Sequence, residues 1–231
     1  MLIKKIKSEY DFLRKEISAV EYAFWWLVRI LLFAALLSTI KAGNNDFLDK
    51  KIRSNFLLTF AFPAVHLLPR RFFPARLDYR VQSVISAMLL VTSFFGQYKG
   101  FYSTKEWFDL YLHFFGCFFC VYLGYELVRA LLNKKEGIEP SLATISGFGL
   151  SFFFAVAWEI FEFISDSIYP MSNAQNWSCY NSDRLIALLP PMDPARLALI
   201  DTMTDLAAGS LGSILGAIAL YIYLKYKQRK S

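Results

Sequence analysis

Cysteine is scarce in this chain, three residues in 231, and their placement builds no framework. Cys117 and Cys120 sit inside an apolar run, where cysteine behaves as a small hydrophobe. Their C-x-x-C spacing has neither a strand beside it nor a second pair, which argues against a redox motif or a zinc site. Cys179 stands alone in a loop, so no disulfide scaffold is expected. Room for a second soluble domain is also lacking once the apolar runs are laid out. A cleavable signal peptide is not expected either. Residues 1–20 mix Lys4, Lys5, Lys7, Arg14 and Lys15 with Tyr10, Phe12 and Leu13, which predicts an amphipathic interfacial helix leading into a first span.

Apolar residues are what the chain has in excess. They make up 56% of it, with 23 phenylalanines and a mean hydropathy of +0.37, whereas soluble domains average about 45–50% even with glycine counted in. At roughly 20 residues per span, the fold class is all-α, a polytopic transmembrane helix bundle of about six spans. These are placed at residues 22–40, 55–68, 81–96, 107–132, 141–168 and 196–223. Residues 1–21 form the interfacial segment, 22–225 a single bundle and 226–231 a basic tail. The second span is short and holds Pro63, which suits a kinked or tilted helix. A net charge of +6 would suit nucleic acid, but the basic residues gather at the chain ends and in short loops. That is the positive-inside pattern, and no nucleic-acid partner is expected. With six spans, lysine and arginine favour the side of the two termini by two to one, which places both termini in the cytoplasm.

The acidic residues inside these spans carry the chemistry. Glu159, Glu162 and Asp166 lie in one stretch, Ala155 to Asp166, with Glu162 roughly 60° and Asp166 roughly 20° from Glu159 around a helix. An ionisable group at membrane depth costs about 2.5–3.5 kcal/mol even on the lenient insertion scale. Three on one stripe must therefore face a protein interior, a wet cavity or a bound cation. The spans at 107–132 and 196–223 open with Asp109/His113 and Asp201/Asp205, each pair spaced i, i+4 and so about 40° apart on one face. Alternating topology brings all seven groups to the outer half of the bilayer. Ala207, Ala208, Gly209, Gly212 and Gly216 add ridges of small residues that permit close approach to a neighbouring helix.

Six carboxylates and one imidazole suit Mg²⁺, Mn²⁺ or Ca²⁺ better than a structural zinc site. The candidate ligands are Asp109, His113, Glu159, Glu162, Asp166, Asp201 and Asp205, with Glu162, Asp205 and His113 as the candidate catalytic groups. The plainer reading makes Asp109 and Asp201 helix N-caps and Asp166 a solvated helix end. Elsewhere, Arg29 is expected to snorkel to the near interface, His66 to be a core histidine, and Glu126 to pair locally with Arg129.

Asp109 to His113, Trp158-Glu159-x-x-Glu162, and Asp201-Thr-Met-Thr-Asp205-Leu with Gly209, Gly212 and Gly216 together resemble the YjdF-like family of small bacterial inner-membrane proteins. More distantly they resemble the VanZ-like proteins. The likeness covers roughly residues 105–220. It implies a helical bundle in a bacterial inner membrane and leaves the activity open. The family's Gln-rich turn between acidic helices is not evident in that form, Gln175 being the only Gln of a long loop.

Three functions compete. One is a metal-dependent enzyme acting on a lipid phosphate or polyprenyl-linked headgroup at the outer leaflet, for which Arg184 and Arg196 are the basic candidates on that side. A second is a subunit that holds a lipid or partner without turnover. The third is a proton- or cation-coupled transporter. It would need polar groups continuing inward, where spans five and six offer Thr144, Ser146, Ser151, Ser210 and Ser213, and no inverted repeat is visible. Membrane lipid is the expected partner in the first two.

Overall fold

At Ser18 the chain turns from a surface helix into a span. The Ser18 hydroxyl accepts from the Glu21 N–H at 3.1 Å, and the Glu21 carboxylate accepts from the Ser18 N–H at 3.0 Å. This reciprocal cap separates α1 (Leu2–Glu16) from α2 (Ala19–Ala42). Gly43 ends α2 at φ 63°, a left-handed conformation in which its N–H reaches the Thr39 carbonyl. The computed structural model describes residues 2–43, 46–105, 107–133, 138–169, 174–176 and 193–230, without the side chains of 2–5, 46, 47, 49 and 194. Cys179 and Arg184 lie outside the described residues.

After α2 come α3 (Asp46–Val65), a 3₁₀ turn (Phe73–Arg76), and α4 (Arg80–Leu89), which continues as a π-helical segment (Leu90–Tyr98). Then follow α5 (Phe101–Thr104), α6 (Phe108–Leu131), α7 (Pro140–Ile168) and α8 (Pro194–Lys230). The described residues contain helices and no strand, as the composition predicts. Among the described residues, five stretches are long and apolar enough to cross a membrane: Ala19–Ala42, Arg80–Tyr98, Phe108–Leu131, Pro140–Ile168 and Ala195–Lys230. The stretch expected as span two belongs to α3, which is not among them. Asp49, Lys50, Lys51 and Arg53 fill the first two turns of α3, leaving an apolar part from Asn55 to Val65. Eleven residues rise only about 16 Å, half of a ~30 Å hydrocarbon core.

Two compact units divide the chain. The first comprises Met1–Phe101 with Glu126–Gly137. In it α1 lays Leu13 and Ile17 against Trp25 and Tyr79, while α2, α3 and α4 share cores around Val28, Leu32 and Leu89 and around Ala35, Leu36 and Ile52. The expectation that Arg29 snorkels is overturned. Its guanidinium is buried, donates to the Thr59 carbonyl at 2.9 Å and lies over the Trp26 and Phe60 rings. An acceptor and two π-faces within reach make the interior a better host than a climb of several ångströms to the headgroups. His66 is the core histidine expected, stacked on Tyr79 with Nε2 3.0 Å from the Leu77 carbonyl oxygen. Arg129 donates twice to Glu126, at 2.6 and 2.9 Å.

The second unit comprises Tyr102–Tyr125 with Ile138–Ser231. Glu139 caps α7 by accepting from the Leu142 N–H at 3.0 Å, with Pro140 in the first turn, where it needs no donor. Glycines let the three helices of this unit touch backbone to backbone. A Cβ on Gly216 would stand 2.6 Å from the Phe118 carbonyl oxygen, and one on Gly147 would stand 2.6 Å from that of Val121. One on Gly212 would overlap the Phe114 carbonyl oxygen outright. Ser151 locks the same crossing, bonding the Cys117 carbonyl at 2.7 Å and the Ser213 hydroxyl at 2.9 Å. The small-residue ridge thus does what its spacing predicts.

Candidate functional site

These close crossings set the acidic ends of three helices together. Asp109 and His113 come from the first two turns of α6, Glu159 and Glu162 from the last third of α7, and Asp205 from the early part of α8. His113 is the hub. Its Nδ1 lies 3.4 Å from Glu159 Oε1, and its Nε2 lies 3.7 Å from Asp205 Oδ2 and 4.0 Å from Asp109 Oδ1. His113, Glu159, Glu162 and Asp205 are each more than nine-tenths buried. At 1.5 Å per residue, these groups sit about 8–16 Å in from the nearer helix ends.

The donors around the cluster fall short of its acceptors. Trp158 donates its indole N–H to Glu162 Oε1 at 2.8 Å, and Asn176 donates to Asp201 Oδ1 at 2.8 Å. Glu162 Oε2, Asp201 Oδ2, Asp205 Oδ2 and both oxygens of Glu159 are buried without a hydrogen-bond partner among the described residues. The Thr202 side chain is a neighbour of Glu159. No lysine or arginine forms an ion pair with Glu159, Glu162, Asp201 or Asp205 among the described residues. Two overlapping sets have the reach to hold a cation: Asp109, His113 and Asp205, and His113, Glu159 and Glu162. Within each set one ligand atom per residue lies within 4.8 Å of the others. Hard oxygen donors with one imidazole are the ligand set expected for Mg²⁺, Mn²⁺ or Ca²⁺.

Two expectations change here. Asp166 shares the helical stripe of Glu159, but its carboxylate is engaged elsewhere: Oδ1 accepts from the Ala174 N–H at 2.8 Å and Oδ2 from the Gln175 N–H at 2.9 Å. It caps a returning loop, a role that leaves it outside both sets. Asp201 lies two turns inside α8, because the helix begins at Pro194, so it is no N-cap. Sequence reasoning named Gln175 only through the family likeness, without a partner, and missed Asn176. The Gln175 amide donates to Thr202 Oγ1 at 2.9 Å, and Asn176, in the left-handed region at φ 47°, reaches Asp201. The only hint was an adjacent amide pair some nine residues beyond an acidic helix end.

A protein of Thermotoga maritima described as "Uncharacterized protein" is 35% identical over 98 residues, 42% of this chain and 49% of the relative. The match therefore spans about half the relative's length. No solved structure matches the chain. The profile of a family described as "Predicted membrane protein (DUF2238)" matches residues 23–226, which takes in the five spanning helices almost entire and every acidic residue of the cluster. The chain accordingly belongs to the DUF2238 family of predicted membrane proteins.

Proposed function

We propose that this protein holds a divalent cation (Mg²⁺, Mn²⁺ or Ca²⁺) among His113, Asp109, Glu159, Glu162 and Asp205. It uses that cation on a lipid phosphate or polyprenyl-phosphate headgroup at the outer face of a bacterial inner membrane, with the basic end of α8 in the cytoplasm. The same residues carry the kinship with YjdF-like proteins and, more distantly, VanZ-like proteins.

The observation behind the reading is the set of five buried carboxylate oxygens that lack a donor among the described residues. Taking an ionised carboxylate out of water costs several kcal/mol even after relaxation, and neighbouring like charges add to that. A dication held within this cluster offsets that accumulated charge. The lipid reading adds the nearness of the cluster to the helix ends and the position of Trp158, 52% exposed on an apolar helix face and bonded to Glu162. A bound cation would supply Lewis-acid polarisation of a phosphoryl oxygen and a more acidic water. The protein's own part is to orient His113 and to hold Glu162 through the Trp158 N–H.

Metal analysis of the purified protein, prepared without chelator, tests the reading. One divalent ion per chain is expected, lost in Glu162→Gln and Asp205→Asn. No bound ion in wild type would overturn it, and phosphate release from phosphatidic acid or a polyprenyl phosphate then separates turnover from holding. A second reading has one observation in its favour: the buried Ser151–Ser213 pair continues the polar path inward from Glu159. Protonated acids would then replace the cation in a proton-coupled transporter, and proteoliposome flux abolished by Glu159→Gln would favour it.

A further inference from the structure

His113 offers two ring nitrogens to carboxylates on opposite edges. Asp109 and Asp205 flank Nε2, while Glu159 flanks Nδ1. A neutral imidazole has one lone pair and one N–H. It can therefore coordinate a cation at one edge only and must donate at the other, where the acceptor fixes its tautomer.

We propose that the cation occupies the Nε2 edge with Asp109 and Asp205, and that Glu159 is a positioning residue that accepts the Nδ1 proton. This rests on the cation reading above. Three observations choose the edge. The Nδ1–Glu159 separation of 3.4 Å is the shortest of the three and the closest to a hydrogen bond. The separations of 3.7 and 4.0 Å at Nε2 leave the wider gap, suited to an ion standing about 2.1 Å from each ligand. Exposure decides the same way. The Asp109 side chain is 30% exposed, so water can complete the ion's shell on that edge, while the Glu159 side chain is 5% exposed. Glu159 also has room to accept, since its two oxygens offer more lone pairs than the neighbouring Thr202 hydroxyl can fill. One cation per chain follows, because a second on the Nδ1 edge would need the imidazole stripped of both protons.

Only His66 and His113 are present, so nitrogen-15 histidine labelling of the full-length protein gives two ring systems, assigned with His113→Asn. Long-range nitrogen–proton correlation in detergent reads the tautomer directly. A proton on Nδ1 of His113, with the Nε2 resonance moving on Mg²⁺ addition, is the expected result. A proton on Nε2 overturns the proposal whatever the cation does. Mn²⁺ affinity supplies the second readout. Glu159→Ala is expected to weaken it by about 10–100-fold, the usual effect of losing a group behind a ligand. Glu159→Gln, which keeps an acceptor, should recover most of that loss. If Glu159→Gln abolishes binding as Asp205→Asn does, or if two ions bind per chain, Glu159 is a ligand and the assignment is wrong. A wild type that binds no ion defeats the cation reading, and the proton's position then judges the Glu159 assignment separately.

Discussion

The same substitution at two glycines should move stability in opposite directions. Alanine is the better helix former by about 0.5–1 kcal/mol. A Cβ added at Gly149 on α7 would meet nothing within 4 Å, so Gly149→Ala should stabilise by about that amount. On α8, a Cβ at Gly216 would lie 2.6 Å from the Phe118 carbonyl oxygen and 3.0 Å from Val121 Cγ2. The first contact is short of ordinary van der Waals separation by about 0.9 Å, and backbone cannot swing aside as a flexible side chain can. The helices must part, at an overpacking cost of about 1–3 kcal/mol. That cost is the expected gap between the two variants, read from reversible unfolding in mixed micelles followed by far-UV circular dichroism. Gly212→Ala should be harsher still and, lying two turns along α8 from Asp205, should weaken cation binding as well. If Gly216→Ala gains as much as Gly149→Ala, then α6 and α8 do not touch there. The meeting of His113 with Asp205 would fall with that contact.

Two further outcomes follow from the polar contacts. Asp166→Ala should speed hydrogen exchange at the Ala174 and Gln175 amides while leaving Mn²⁺ affinity unchanged, and a loss of affinity like that of Asp205→Asn would return Asp166 to the cluster. Glu139 caps α7 outside the spanning segment, and the Ser141 and Leu142 backbone N–H groups hold its carboxyl below the usual 4.5. A lowered native value stabilises fully above the unfolded one and is lost as pH falls through it. The stability gap between wild type and Glu139→Gln should therefore be full at neutral pH and close as the pH drops below 4.5, and a gap that widens in acid would contradict the cap.

Spacing made much of the second unit legible. Glu159 and Glu162, Asp109 and His113, and Gly212 and Gly216 each follow helical periodicity, and periodicity survives into any structure the helix adopts. What spacing cannot carry is partnership across a loop. Asp166 has the right angle on α7 and the wrong neighbours, because the backbone at 174–175 returns to claim it. The contacts of Gln175 with Thr202 and of Asn176 with Asp201 were illegible for the same reason. Arg29 was misjudged because a buried host was sought in an acid, when the Thr59 carbonyl and two aromatic faces supply one. At α3, hydropathy registered the apolar run and not the charged turns that shorten it.

The most direct measurement is an anomalous difference map from Mn²⁺-soaked crystals of the full-length protein. A single peak within about 2.0–2.6 Å of Asp205 and Asp109 oxygens and of His113 Nε2 is the predicted result. No peak at that position, or one seated on Asp166, would contradict a cation held at the Nε2 edge.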